Sequence, residues 1–317
     1  MKKTINFMGV RNIAFAITAL LTVLALFSWF YKGLNFGLDF TGGTLIELRY
    51  EQPADLGKIR QELQGAGFGE AVVQSFGATT DVLVRMPGDN PQLGQQVTGA
   101  LQKASTERFS LTRTEFVGPQ VGAELRDQGG LGMLLALGGV LLYVAFRFQW
   151  KFAVGAIISL VHDVVVTLGL LSFFQITFDL TVLAAVLAII GYSLNDTIII
   201  FDRVRENLKK QRKESLRDVL NRSINETLPR SVLTHATVLA ATLALLIFAG
   251  EVIRPFSWIM AFGVFTGTFS SIYVAGPILL YIEHKWPRAT TTENKGTSRA
   301  LAEGRRREKP QPVSSAR

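Results

Sequence analysis

Leu180-Thr-Val-Leu-Ala-Ala-Val-Leu-Ala-Ile-Ile-Gly-Tyr-Ser-Leu-Asn-Asp-Thr-Ile-Ile-Ile-Phe201 is apolar over nearly its whole length. It is long enough to cross a hydrocarbon core of ~30 Å, which takes about 20 residues of helix. One carboxylate, Asp196, interrupts it. A charge at that depth costs roughly 2.5–3.5 kcal/mol on insertion scales. A chain that keeps one generally uses it for protons, ions or a charge partner. The run therefore decides the fold class, and Asp196 is the entry point to function.

Five further stretches reach or approach spanning length: 12–31, 129–148, 152–174, 231–250 and 256–282. With residues 180–201 they predict a polytopic helical membrane protein of six spans. Composition agrees: 48% of residues are hydrophobic and 18% charged, less charge than a soluble domain carries. The first stretch follows Met1-Lys2-Lys3 like a signal peptide. Its apolar run exceeds a usual h-region, however, and no small-x-small site closes it before Tyr31-Lys32, so it reads as a retained anchor. There is no cysteine, which excludes disulfides and thiolate chemistry.

The net charge is +8, and its placement matters more than its sum. Basic residues cluster at Lys2, Lys3 and Arg11, at Arg147 and Lys151, between Arg203 and Arg230, and after His284. Alternating spans put all four clusters on one side. The positive-inside rule makes that side cytoplasmic, with residues 1–11 and 283–317 both there. This topology disfavours nucleic acid as the partner of the basic charge. It predicts a multi-pass membrane protein.

Residues 32–128 form the one large block outside the spans. Alternation over 44–50, 71–76, 81–85 and 109–116 predicts strands. Helical spacing of Leu56, Ile59 and Leu63, and of Leu93, Val97 and Leu101, predicts helices over 54–65 and 91–107. Pro53 and Pro91 suit helix starts. The order βαββαβ is that of a ferredoxin-like α+β domain, placed in the periplasm by the topology. Residues 202–230 are basic, with an apolar stripe at Leu216, Val219, Leu220 and Ile224. They read as a topology-fixing loop or as an amphipathic helix lying on the membrane. The polar tail, with Thr290–Thr292 and Arg305–Arg307, shows no apolar period and reads as disordered. Anionic lipid or ribosomal RNA would suit its charge, but a solvated tail is the simpler account.

Asp196 lies 16 residues past Leu180, about 24 Å into the span and in the inner third of the core. Arg230 opens the next span from the same side and reaches a similar depth. Burial and a neighbouring guanidinium act on a carboxyl in opposite directions, which is a mechanism for reversible protonation. A static pair with Arg230, or a polar helix contact through Asn195, is the alternative. Asp163 lies about 17 Å into the third span. His162 precedes it and points about 100° away. Asp163 could relay protons or make an interhelical hydrogen bond. His235, one turn into the fifth span, could shuttle a proton or simply pack.

Gly263-x-x-x-Gly267, then Ser270, Ser271, Ala275 and Gly276, allow close helix packing, and Pro277 predicts a kink. The glycines of Gly37-Leu-Asp-Phe-Thr-Gly-Gly43 permit a tight reversal at the membrane surface. That loop lacks the Gly-Lys-Ser/Thr ending of a phosphate loop. Three histidines and no cysteine supply no metal cluster. The pattern around Asp196 is not that of intramembrane aspartyl proteases. No enzyme, metal or cofactor is expected, with protons as the coupling ion.

Gly37–Gly43, Leu160-Val-His-Asp163, Gly191-Tyr-Ser-Leu-Asn-Asp-Thr197, Phe201-Asp-Arg-Val-Arg-Glu-Asn207 and Ser270-Ser-Ile-Tyr-Val-Ala-Gly-Pro277 resemble the SecD/SecF family of protein-export proteins, within the resistance-nodulation-division superfamily. The resemblance covers about residues 5 to 285. It implies pairing with SecD, docking beside the SecYEG channel, and use of the proton gradient to draw an exported polypeptide outward late in export. It assigns Asp196 and Arg230 to the proton path, together with an acid supplied by SecD, and gives Asp163 a less settled role. Gly191, Asn195, Asp202 and Arg203 fall in its supporting motifs; Gly37, Asp39, Gly42 and Gly43 form its turn motif. A passive scaffold for the channel is one alternative. Half of a drug or lipid exporter is another, although such exporters carry two large outer domains in one chain.

Overall fold

The computed structural model describes residues 5–105, 107–210, 214–250 and 252–287. Helix α1 (Arg11–Lys32) leads into strand β1 (Asn35–Phe36) and the single turn α2 (Leu38–Thr41). An extramembrane unit follows: β2 (Gly43–Tyr50), α3 (Leu56–Gly65), β3 (Val72–Phe76), β4 (Ala78–Met86), α4 (Leu93–Ala104) and β5 (Phe109–Val117). Then come α5 (Pro119–Arg147), α6 (Trp150–Phe174), β6 (Thr177–Phe178), α7 (Leu180–Lys210), α8 (Leu216–Phe248), α9 (Arg254–Ser270) and α10 (Gly276–Lys285).

The extramembrane sheet has the order β3-β4-β2-β5, antiparallel throughout, which is the ferredoxin-like arrangement expected from βαββαβ. Alternation buries Ile46, Leu48, Val82 and Val84 on one face, where Ile59, Leu63, Val97 and Leu101 of α3 and α4 cover them. The prolines do not open the helices. Asp55 caps α3 by accepting from the backbone of Gly57 and Lys58, and Pro53 and Pro91 both lie ahead of the caps. A carboxylate at the cap satisfies first-turn N–H groups that a proline cannot.

Among the described residues, six helical spans are long and apolar enough to cross a membrane: α1, α5, α6, α7, α8, and the unit Arg254–Lys285 comprising α9 and α10. Their packing is uneven. More than half of the apolar stretch is buried in α6, α7 and α9–α10, against 6% in α5 and 11% in α8. Small residues set the spacing of the inner helices. A side chain at Gly263 would overlap Ile189, one at Gly267 would press on Ser193, and one at Gly169 would overlap Ala25. The close packing expected at Gly263 and Gly267 is made against α7.

One expectation is corrected. Among the described residues, 202–230 form no separate helix on the membrane surface. Helix α7 continues to Lys210 and α8 begins at Leu216, so the spans themselves extend into this segment. Backbone hydrogen bonding does not stop where charged side chains begin, and Val219, Leu220 and Ile224 are buried against protein, not lipid. At the last span, Pro277 lies in the first turn of α10, behind a wide π turn at Ser271–Ala275. Proline has no N–H to return to the preceding turn, and the widened turn accommodates that loss. The sequence-predicted tail lies outside the described residues from 288 onward, whereas α10 carries the last span on to Lys285.

The N-terminal segment is tied down. Residues Phe7–Gly9 form a 3₁₀ turn, and Met8 is buried in the core beneath α8. The side chain of Asn225 accepts from the backbone N–H of Ile5 and donates to its carbonyl, and Asn221 accepts from the N–H of Met8.

Candidate functional site

On α7 a buried face runs through Ile189, Ser193, Asp196, Thr197, Ile200 and Val204, because residues three and four apart share one side of a helix. Asp196 is 4% exposed. Its partner is not Arg230. The hydroxyl of Ser231, on α8, donates to Asp196 Oδ1 at 2.5 Å. Arg230 is exposed, and among the described residues its side chain has no hydrogen bond or ion pair. Adjacent residues on a helix point about 100° apart, so when Ser231 faces α7 its neighbour faces outward. Pro229 precedes both, inside α8.

One turn beyond Ser231, His235 lies against the ring of Tyr192, with centroids 5.4 Å apart, and contacts Thr268 Oγ1 at 3.1 Å. His235 thus packs within the polar contacts of α7, α8 and α9. The buried Tyr192 hydroxyl has no hydrogen-bond partner among the described residues.

Asp163, on α6, is fully buried. Ser193 donates to Oδ2 at 2.5 Å and Ser270 at 2.7 Å, while His162 Nδ1 lies 3.0 Å from Oδ1. The expectation that His162 points away from Asp163 is overturned. The imidazole is long enough to lean across the 100° between neighbouring residues. Thr197 and Ser271 hydrogen-bond at 2.7 Å, and Ser271 also reaches the carbonyl of Ser193. Hydroxyls thus run between Asp163 and the turn of α7 that carries Asp196. On the same face of α6, Ser159 and Thr167 are buried, with hydroxyls that have no partner among the described residues. A seam this polar inside apolar helices is expensive unless it is used or wetted.

The supporting motifs divide. Gly191 and Asn195, one turn apart, are exposed on α7, with no atom near the space a Gly191 side chain would fill. Asp202 pairs with Arg147 and with Arg205, whereas Arg203 pairs with Glu226 and Glu206, each at 2.6 Å. These ion pairs brace α5, α7 and α8 beyond the site and leave Asp196 untouched.

The glycine loop is a junction. Gly42 and Gly43 have φ of +66° and +114°, values that side chains disfavour. Gly37 donates its N–H to the carbonyl of Phe178 at 2.8 Å, so β1 and β6 form a small parallel ribbon. Asp39 accepts from the N–H of Leu180 at 3.0 Å and Asp179 from that of Val182 at 2.8 Å, which together cap α7. Arg85 of β4 adds a clamp: it donates to the carbonyl of Phe36 at 2.8 Å and to Thr177 Oγ1 at 3.0 Å. Burial pulls the Arg85 guanidinium below its ordinary value, and the carboxylate of Asp179 opposes that shift. The extramembrane domain is thereby fastened to the helix that carries Asp196. Arg85→Met is expected to raise amide hydrogen exchange in residues 35–36 and 177–178 about tenfold, since a hydrogen bond to a charged group contributes roughly 1.5 kcal/mol or more. Unchanged exchange would remove Arg85 from this role.

Sequence reasoning missed Ser231, Ser193, Ser270 and Arg85. Ser193 carried a signal, lying one turn from Asp196. Ser231 carried none, because the rotation of α8 decides whether it or Arg230 meets α7.

The family profile "Protein export membrane protein SecD/SecF, C-terminal" matches residues 96–285, and "SecD/SecF GG Motif" matches residues 27–54. The chain is 64% identical over 280 residues to "Protein translocase subunit SecF" of Pseudomonas aeruginosa, covering 88% of this chain and 92% of that protein. The protein of the same name from Escherichia coli O157:H7 is 43% identical over 289 residues, covering 90% of each. Among solved structures, SecDF from Thermus thermophilus, described as a translocon-associated membrane protein, superposes with a TM-score of 0.82 at 38% identity. That match takes in 89% of this chain but 39% of the solved one. SecDF in a super-membrane-facing form gives a TM-score of 0.65 at 36% identity, over 96% of this chain and 40% of that one.

Proposed function

The chain belongs to the SecD/SecF family of protein-export membrane proteins, and from that premise we propose that it is the subunit through which a proton gradient drives late-stage protein export. The observation that carries the reading is Asp196: a buried carboxylate on a well-packed helix, held by one hydroxyl of a sparsely packed one. Such a group inside a membrane span is functional by default.

The chemistry follows from the donors and acceptors. A carboxylate can only accept, so Ser231 Oγ–H points at it. Proton arrival turns Asp196 into a donor. The Ser231 hydroxyl is then free to turn toward its own helix, and the tie between α7 and α8 changes. Pro229 sits two residues away, between the buried base of α8 (Val219, Leu220, Ile224) and its exposed outer arm, where a missing backbone hydrogen bond eases bending. Helix α7 carries any such movement to Asp39, the β1–β6 ribbon and Arg85, and so to the extramembrane domain. Asp163 and its hydroxyls lie on the same seam.

Arg230 faces away from α7 with no partner among the described residues, as expected of a residue awaiting an acid from a second chain. We take that chain to be SecD, corresponding to the part of the solved SecDF proteins that this chain does not cover. The placement of basic clusters supports a bacterial inner membrane location, cytoplasmic termini and a periplasmic domain. The further partners of this reading are the SecYEG channel, the exported polypeptide and membrane lipid.

The test reconstitutes the chain with its SecD-type partner and the channel in vesicles. Arg230→Met is expected to cut gradient-stimulated export at least tenfold while ATP-driven insertion continues. Normal gradient stimulation would take Arg230 out of the path.

A further inference from the structure

A groove of ≈ 840 Å³ opens between the start of α1 and the far end of α10. Its walls follow the two helices. Phe15, Pro277 and Ile278 line it on the side toward the membrane core, Arg11 and His284 lie at the helix ends, and Leu280 and Tyr281 lie between. These are the ends where the basic clusters gather. Trp150 and Trp286 meet edge to face beside them, with centroids 5.8 Å apart, as aromatic side chains do at a membrane–water interface.

Among the described residues no carboxylate answers the charge in the groove. Among the described residues, neither Arg11 nor His284 has a hydrogen bond or ion pair from its side chain. The neighbouring acid, Glu283, is taken by Lys151 at 2.9 Å, and Lys285 lies over the ring of Trp286 at 5.0 Å. The walls are also held in place. Asn221 and Asn225 fix the backbone that leads into α1, Met8 is buried against Gly276, and Leu279 and Ile282 anchor α10 in the core.

We propose that this groove is a binding site for one anionic phospholipid, its phosphate between Arg11 and His284 and an acyl chain along Phe15, Ile278 and Leu280. An apolar slot with the Arg11 guanidinium and the His284 imidazole at its headgroup end, both unpaired among the described residues, is complementary to that amphiphile, and basic pockets between spans on the cytoplasmic side bind such headgroups. The volume falls in the range of small-molecule sites. The site lies on the α1–α10 face, apart from Asp196, and does not depend on proton coupling.

The experiment is native mass spectrometry of the full chain in mild detergent, alone and with its SecD-type partner, challenged with phosphatidylglycerol or phosphatidylcholine of identical acyl chains. Wild-type protein, alone and in the complex, is expected to retain phosphatidylglycerol about fivefold better, the scale set by one guanidinium near an anionic headgroup. The double substitution Arg11→Gln, His284→Gln should erase the preference while phosphatidylcholine retention stays level. Ile278→Trp should fill the groove and reduce retention of both. Equal retention by the wild type, a preference that survives the double substitution, or undiminished retention by Ile278→Trp would overturn the proposal. So would loss of phosphatidylglycerol on binding the partner chain, which would make the groove a protein interface.

Discussion

Asp196→Asn is expected to bring gradient-driven export down to the gradient-free level while assembly with the partner chain continues. Asparagine has nearly the volume of aspartate and keeps an oxygen where Ser231 donates, so the packing of α7 against α8 survives. It also removes a charge from an apolar interior, which does not harm folding. What it cannot do is gain and lose a proton. The expected readout is therefore a specific loss: export with ATP alone is unchanged, and the stimulation by an imposed gradient disappears. Gradient-stimulated export at the wild-type rate would sink proton coupling at this residue and leave a scaffold role. Ser231→Ala sharpens the test. It takes from Asp196 its one donor among the described residues, and an unsatisfied buried acceptor costs about 1–3 kcal/mol. Partial loss of stimulation is expected, with a shifted pH profile that a merely structural defect would not produce.

Gly43→Ala is expected to have the largest effect on folding. At φ of +114° a side chain is strained, at a cost of about 1–3 kcal/mol. The new Cβ would also lie 2.4 Å from the Met86 carbonyl oxygen. That atom belongs to the β2–β4 ladder, where Thr44 pairs with Met86, so the overlap is relieved only by moving a strand, at about 1–3 kcal/mol more. Thermal unfolding of the purified chain should show a clear destabilisation and easier proteolysis near residues 42–43. Gly99→Ala is the control: no atom lies within 4 Å of its new Cβ, and α4 should gain up to about 1 kcal/mol from a better helix former. Equal melting of the two variants would show that the junction does not need its glycine.

Much of the architecture was legible because it is encoded locally. Spanning length is a property of each run by itself, so all six spans lie where apolar residues are dense. Their ends were underestimated for a physical reason. Hydropathy stops at Phe201 and resumes at Ser231, but the backbone of α7 and α8 keeps its hydrogen bonds through charged side chains, out to Lys210 and back from Leu216. In the extramembrane domain, alternation in β2 and β4 and the spacing of Val97 and Leu101 marked the core face correctly, since period alone assigns a side chain to one face. The capping of α3 by Asp55 overrode the prolines because cap geometry depends on which side chain reaches the free N–H groups.

The candidate site was half legible. A lone carboxylate in an apolar run identified Asp196, and the polar interruption of α6 identified Asp163. Their partners were not readable. Ser231 lies 35 residues from Asp196, Ser270 lies 107 from Asp163, and Arg85 lies 92 from Thr177. Which side chain of a helix faces which neighbour is set by how the helices rotate against one another. That rotation is fixed by Gly263 against Ile189, Gly169 against Ala25 and the packing under α8. Hydropathy and periodicity, each a sum over one segment, thus determined the six spans, the βαββαβ domain and the charge at Asp196. The choice of Ser231 over Arg230 as its partner belongs to tertiary packing, because a rotation of about 100° exchanges them without changing either helix.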